Sequence, residues 1–189
     1  DTGNFSFVNN KQDFGELLKE LKKLKANMGI ILKIETQEGY RNLPSILLKA
    51  MENYPVGVMI ARGDLAIDIG HSEVPKVQLS LIKKCSQFSK SVIVATQMLE
   101  SMIENNTATR AEINDIATAI FQGADTVMLS AEAAIGKFPS QAVSTMTKTI
   151  ISAEKYKKEH IEDFKNTIIT NKDPVKSILL SVKDISYNS

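Results

Sequence analysis

The chain has 189 residues, of which 43% are hydrophobic and 24% charged, the balance of an ordinary globular protein. Its formal net charge of +1 excludes the strong overall field expected of a partner for nucleic acid or an anionic membrane. No apolar stretch approaches the roughly 20 residues of a membrane-spanning helix, and the first ten residues lack the pattern of a signal peptide. Cys85 is the single cysteine, which excludes a disulfide within the chain and fits a reducing compartment; its helical spacing predicts a buried position.

Five short runs rich in apolar and β-branched residues predict five β-strands. The runs are 4–8, 29–35, 57–61, 91–96 and 126–130. Four of them contain three apolar residues in succession, which is typical of strands covered on both faces of a parallel sheet.

A stretch with helical periodicity follows each predicted strand. Pro44 is compatible with the first turn of the second helix, Gly123 should cap the fourth, and Pro139 should open the fifth. Repeated βα units are typical of a doubly wound sheet or a (β/α)8 barrel. Since five strands do not comfortably complete either architecture, we predict part of a barrel. After residue 157 the chain becomes polar and predicts a linker, followed by another helix that opens near Pro174.

Polar groups are concentrated where the predicted strands end, the edge at which parallel α/β folds carry their reactive groups. Lys33 and Glu35 are two residues apart on one strand and therefore project to the same side. Asp64 follows the next strand, and two carboxylates from adjacent strands suit Mg²⁺ or Mn²⁺, with a phosphate of the ligand completing the site. The alternative is that Lys33 and Glu35 form a structural ion pair that fills a layer of the barrel.

Two further strand ends could contribute to an anion site. Gly63 lies just past the third strand, where a glycine lets backbone N–H groups approach a ligand, and a helical turn beginning at Asp64 would favour a bound carboxylate. Thr96, at the next strand end, could donate a hydroxyl to the same ligand. The alternatives are a plain strand-to-helix turn and a simple cap.

Five segments, in order, resemble the signature motifs of pyruvate kinase. They are KIET at 33–36, ARGDL at 61–65, ATQMLESM at 95–102, TRAE at 109–112 and VMLSAE at 127–132. The resemblance implies a (β/α)8 TIM-type barrel with parallel strands. Of that barrel the chain would supply the C-terminal half, about five βα units over residues 1–157, followed by the start of a C-terminal domain over 158–189.

The resemblance also implies a glycolytic enzyme that moves the phosphoryl group of phosphoenolpyruvate to ADP, giving pyruvate and ATP. Lys33 would stabilise the transferring phosphoryl group and Thr96 would help to protonate the enolate, so both would be catalytic. Glu35 and Asp64 would hold Mg²⁺ or Mn²⁺. Substrate binding would use Lys33, Arg62, Gly63, Asp64 and Thr96, with the Gly63 and Asp64 amides taking the substrate carboxylate.

The resemblance further implies K⁺, at a site outside this chain, a homotetramer, and a cytoplasmic location with organellar import left open. Several positions depart from the usual motifs: Asn9 replaces an arginine, Ala131 and Ala133 a glycine and a threonine, Ile135 a lysine, and Gly70-His71 a proline-containing step. These departures leave the set of Lys33, Glu35 and Asp64 intact.

Two other functions stay open. A metal-dependent aldolase or lyase barrel acting on a pyruvate enolate would use the same carboxylates but would need Lys33 less. A non-catalytic truncated paralogue would have its open edges completed by another chain. Since the resemblance implies earlier strands, a substrate-binding arginine and a lid-like domain outside these residues, we expect the 189 residues alone not to turn over.

Overall fold

The computed structural model describes residues 1–52 and 54–160. Five strands form one parallel sheet in the order β1-β2-β3-β4-β5, which confirms the predicted parallel α/β class. The strands are β1 Thr2–Phe5, β2 Gly29–Ile34, β3 Val56–Ala61, β4 Val92–Ala95 and β5 Thr126–Met128. Each begins and ends within three residues of its predicted position.

Seven α-helices are present in the described residues. They are α1 Lys11–Lys23, α2 Gln37–Met51, α3 Arg62–Ile69, α4 Val74–Gln87, α5 Arg110–Gln122, α6 Ala131–Ala134 and α7 Pro139–Glu159. None of these helices is long and apolar enough to cross a membrane. The chain divides after Ala153 into two units, the first of which holds the sheet. The predicted boundary at 157 stays a prediction, and the helix expected near Pro174 lies outside the described residues.

Helix ends are set by local side-chain chemistry. Asn10 caps α1, because its side chain accepts hydrogen bonds from the Gln12 and Asp13 amides. Thr109 caps α5 in a reciprocal capping box with Glu112. Gly123 ends α5 in the left-handed conformation, at φ 100°, as predicted for a C-terminal cap.

Pro44 corrects one prediction, because it is the eighth residue of α2 and not part of its first turn. The helix begins earlier than the apolar pattern indicated, since Thr36 caps it by accepting a hydrogen bond from the Gly39 amide at 3.1 Å. Proline has no amide hydrogen to donate to the Tyr40 carbonyl one turn back. Lys84 on α4 supplies that bond, with its Nζ 3.1 Å from Tyr40 O and 4.0 Å from the centre of the Tyr40 ring.

The alternation along β2 sets which side chains face the helices. Ile30, Leu32 and Ile34 are buried in the core, and each contributes about 2 kcal/mol through burial of its apolar surface. Lys33 has the opposite orientation because successive side chains of a strand point to opposite faces. Cys85 is fully buried in the core, as predicted.

Candidate active site

The register of the sheet brings three strand ends to one edge. Ile34 of β2 pairs with Ile60 of β3, and Ala61 of β3 pairs with Ala95 of β4. The residues that follow these positions, Glu35 and Thr96 among them, therefore leave neighbouring strands at the same level. Because adjacent strands lie about 4.8 Å apart, their side chains belong to one surface.

Lys33 and Glu35 form an ion pair at this edge, with 2.7 Å between Lys33 Nζ and Glu35 Oε1. The Glu35 side chain is 1% exposed and that of Lys33 is 25% exposed. Glu35 Oε2 accepts a hydrogen bond from the Phe7 amide at 2.6 Å. Glu35 Oε1, although close to the ammonium, has no hydrogen-bond partner of acceptable direction. A carboxylate buried this deeply requires a compensating cation; the Lys33 ammonium supplies that charge here, and a metal ion could share the same oxygen.

Ser6 and Phe7, just past β1, support this pair, a role that the sequence analysis did not assign to them. Lys33 Nζ donates to Ser6 Oγ at 3.1 Å. Phe7 has a left-handed backbone, at φ 52°, and its amide meets Glu35. The available signal was their position, since they end a strand at the same edge as Lys33 and Glu35.

Asp64 lies in the first turn of α3 and is exposed. The helix begins at Arg62, directly after β3, so its first turn also includes Gly63. Ala61 precedes the helix and has no side chain that can cap it. The amides of the first turn have no acceptor one turn earlier within the helix, and the end of the helix favours a negative charge. This turn can therefore receive an anion.

Thr96 links the ends of β3 and β4. Its Oγ1 accepts a hydrogen bond from the Gly63 amide at 2.9 Å and donates to the Ala95 carbonyl at 2.6 Å. An added Cβ on Gly63 would meet Thr96 Oγ1 at 3.6 Å, an ordinary contact. The packing of the protein itself therefore does not require glycine at position 63, and close approach of a ligand remains as a reason for it.

Arg62 is buried and its guanidinium is surrounded by protein acceptors. Nε and Nη2 donate to the Thr96 carbonyl, and Nη2 also donates to the Gln97 carbonyl. Nη1 donates to Asp115 Oδ2 at 2.7 Å and, more weakly, to Gln78 Oε1 at 3.4 Å. The structure thus brings the Arg62 side chain to the loop after β4 and to α5, and does not bring it to the pair of Lys33 and Glu35.

Glu132, in the short helix α6 after β5, is a buried acid that was not predicted from the sequence to have a role. Its side chain is 2% exposed. Oε1 accepts from the Leu99 amide at 3.1 Å and Oε2 from the Ser130 amide at 2.7 Å. Glu132 therefore ties the loops that follow β4 and β5 together at the edge that carries the site.

Comparisons with known proteins match this chain over most of its length. Residues 3–143 match the family model described as pyruvate kinase, barrel domain. The pyruvate kinases of Staphylococcus aureus strains USA300 and NCTC 8325 are each 41% identical over 181 residues, covering 96% of this chain and 29% of the relative. A crystal structure of a pyruvate kinase from Cryptosporidium parvum matches with a TM-score of 0.77 and 39% identity, covering 82% of this chain and 32% of that one. The chain thus spans less than a third of the length of these relatives.

Proposed function

Since this chain belongs to the pyruvate kinase family, we propose that the protein carrying it moves the phosphoryl group of phosphoenolpyruvate to ADP, giving pyruvate and ATP in glycolysis. The observation that carries the proposal is the buried Glu35 carboxylate, which has one oxygen without a hydrogen-bond partner beside the Lys33 ammonium. This arrangement at the carboxyl edge of a parallel sheet suits a site for cations and anions together.

Glu35 and Asp64 would hold the divalent ion, Mg²⁺ or Mn²⁺. Within residues 1–52 and 54–160, no group of three or more acidic, histidine or cysteine side chains could hold a metal by itself. Mg²⁺ commonly uses one or two carboxylates and completes its coordination with water and substrate phosphate, so two acids fit it. When bound, the ion would neutralise negative charge on the phosphoryl oxygens.

Lys33 would stabilise the transferring phosphoryl group. Its ammonium is held between Ser6 Oγ and Glu35 Oε1, yet a quarter of the side chain is exposed, so it can also meet an incoming anion. Phosphoryl transfer requires little covalent chemistry from the protein and depends on positioning and charge neutralisation. A fixed ammonium supplies both.

The first turn of α3 would bind the carboxylate of phosphoenolpyruvate through the Gly63 and Asp64 amides. The Gly63 amide would exchange its bond to Thr96 Oγ1 for one to the substrate. The Thr96 hydroxyl could then turn from the Ala95 carbonyl and help to deliver a proton to the enolate that remains after phosphoryl transfer. Direct contact between Arg62 and substrate stays a prediction, and the acceptors around its guanidinium favour a different role.

Other family properties belong to this proposal as well. They are ADP and ATP as partners, K⁺ bound outside this chain, a homotetramer and a cytoplasmic location. We also expect the 189 residues alone to be inactive, because β1 and β5 each pair on one side only within the described sheet, whereas a closed TIM barrel has eight strands. Finding pyruvate formation by the 189-residue chain alone would refute that expectation.

Titration with Mg²⁺ tests the proposed site in the intact protein that carries this chain. Glu35→Ala and Asp64→Ala should each raise the Mg²⁺ concentration needed for half-maximal pyruvate formation by roughly tenfold or more. Glu38→Ala, which removes a nearby exposed carboxylate, is the matched control and should leave the requirement unchanged. An unchanged requirement in both site variants would refute the metal site, and no pyruvate formation by the unmodified intact protein would refute the function.

A further inference from the structure

We propose that Arg62 is a positioning residue whose guanidinium holds the left-handed turn of Thr96 and Gln97, and thereby keeps the Thr96 hydroxyl beside the Gly63 amide. The inference deepens the proposed function, on which its catalytic consequence rests. Its structural content can be tested separately. Arg62 would act through Thr96 and not by touching substrate.

The turn needs an external support because of its backbone conformation. Thr96 and Gln97 have φ values of 69° and 55°, so two consecutive residues other than glycine are left-handed. This region is sparsely populated by such residues, and a β-branched side chain makes it still less favourable. Residues persist in it when the surrounding structure over-determines them.

Arg62 supplies that support through several hydrogen bonds to the turn. Nη2 lies 2.8 Å from the Thr96 carbonyl and 3.0 Å from the Gln97 carbonyl, and Nε lies 3.2 Å from Thr96 O. Nη2 also contacts Met98 Sδ at 2.7 Å. Nε and Nη2 converge on the Thr96 carbonyl at angles fixed by the planar guanidinium, which the single nitrogen of a lysine ammonium cannot reproduce. The two carbonyls held are those of the two left-handed residues.

Asp115 on α5 fixes the other side of the guanidinium. Its Oδ2 accepts from Arg62 Nη1 at 2.7 Å, and Gln78 on α4 adds a weaker contact that continues to Gln122 at 2.8 Å. The Arg62 side chain is 8% exposed, and a charge buried to this degree requires a paired partner. Arg62 therefore fastens the turn to the helices behind it.

The consequence for the site concerns one hydrogen bond. Thr96 Oγ1 is held 2.9 Å from the Gly63 amide only while the turn keeps its left-handed form. If the turn relaxes, the hydroxyl and the first turn of α3 lose their mutual position. A displacement of this kind can cost up to about a hundredfold in rate without removing any reacting group.

The first test is hydrogen exchange, followed by mass spectrometry, in the intact protein. In Arg62→Lys, peptides that contain the Gly63 amide should exchange at least about tenfold faster, since that amide loses its acceptor, whereas peptides from the middle of β2 should be unchanged. Arg41→Lys makes the same substitution at an exposed arginine and should alter neither. Unchanged exchange around Gly63 in a folded Arg62→Lys protein would overturn the proposal.

The second test is a double-mutant cycle on kcat with Thr96→Ala. Arg62→Lys should lower kcat by roughly 10- to 100-fold with an unchanged Mg²⁺ requirement, and this loss should largely disappear in the Thr96→Ala background. If the kcat loss of the double variant equals the product of the losses of the two single variants, Arg62 has only a general structural role, and the proposal is overturned. If Arg62→Lys does not fold, Asp115→Asn, which weakens the support of the guanidinium, takes its place in both the hydrogen-exchange measurement and the double-mutant cycle. If the unmodified protein forms no pyruvate, the proposed function fails and hydrogen exchange alone decides on Arg62.

Discussion

Replacing Lys33 by methionine should separate the chemistry of the candidate site from its assembly. Methionine keeps much of the length of the side chain and removes its charge. With Mg²⁺ and phosphoenolpyruvate saturating, we expect phosphoryl transfer to fall by roughly 10³-fold or more, because a cation aimed at a transferring phosphoryl group commonly contributes that much. The measurement is the initial rate of pyruvate formation by the intact protein.

The same substitution should also lower stability, by an amount that follows from the burial of Glu35. The change leaves a carboxylate that is 1% exposed with one remaining hydrogen bond, from the Phe7 amide at 2.6 Å. Breaking a buried ion pair from one side costs about 3–5 kcal/mol, and the partial exposure of Lys33 places this case near the lower end, at about 3 kcal/mol. A divalent ion at 100 times its Kd would restore about 2.7 kcal/mol, so Mg²⁺ should offset most of the loss.

Urea unfolding with and without Mg²⁺ measures both the loss of unfolding free energy and the part of it that the ion restores. In a Glu35→Gln background, Lys33→Met should cost much less, because no charge is then stranded. Lys23→Met removes one member of an exposed pair with Glu20 and serves as the control, with little expected change. Near-normal turnover of Lys33→Met would refute the role of Lys33. An equal stability loss in both backgrounds would refute the reasoning about Glu35.

Three further predictions concern the scaffold. Lys84→Met should lower the free energy of unfolding by about 1–3 kcal/mol in urea, because the Tyr40 carbonyl opposite Pro44 loses its donor. Burial tends to raise the pKa of Glu112, but hydrogen bonds from Ser101 and Thr109 outweigh it and lower the pKa below 4.5. Its stabilisation should therefore be complete above about pH 4.5 and be lost as pH falls through the folded pKa, a loss that acid titration of Glu112→Gln should not show. Burial raises the pKa of Cys85 to about 12, so iodoacetamide at pH 8 should label the unfolded protein and spare the folded one.

The strand ends illustrate how far the amino-acid pattern can be taken. Apolar runs located every strand of the described sheet, because a strand covered on both faces must be apolar along its length. The predicted ends were up to three residues off, since the ladder stops where the backbone turns. Phe7 and Thr96 adopt left-handed conformations at two of these ends. Neither phenylalanine nor threonine is typical of that conformation, so the sequence does not indicate the turns.

Pro44 shows the same limit in a helix. The apolar spacing indicated a start near Leu43, where proline would be harmless, but the Thr36 cap begins the helix at Gln37. Lys84 on α4, 44 residues after Tyr40 along the chain, replaces the missing hydrogen bond. Local propensity could not predict this, because the compensating donor belongs to another element.

The sequence by itself determined the parallel sheet and the placement of four residues at strand ends: Lys33, Glu35, Asp64 and Thr96. Runs of apolar residues can be recognised without knowing what packs against them. The ordered motifs determined the family. Only the tertiary structure decided which atoms meet: the Lys33 ammonium and Glu35 Oε1, the Gly63 amide and Thr96 Oγ1, and Arg62 and its partners. Those partners lie 16 to 53 residues away along the chain. The alternation of side chains along a strand predicts which side of the sheet a residue faces. Only the packing of the folded chain determines which atoms it contacts on that side.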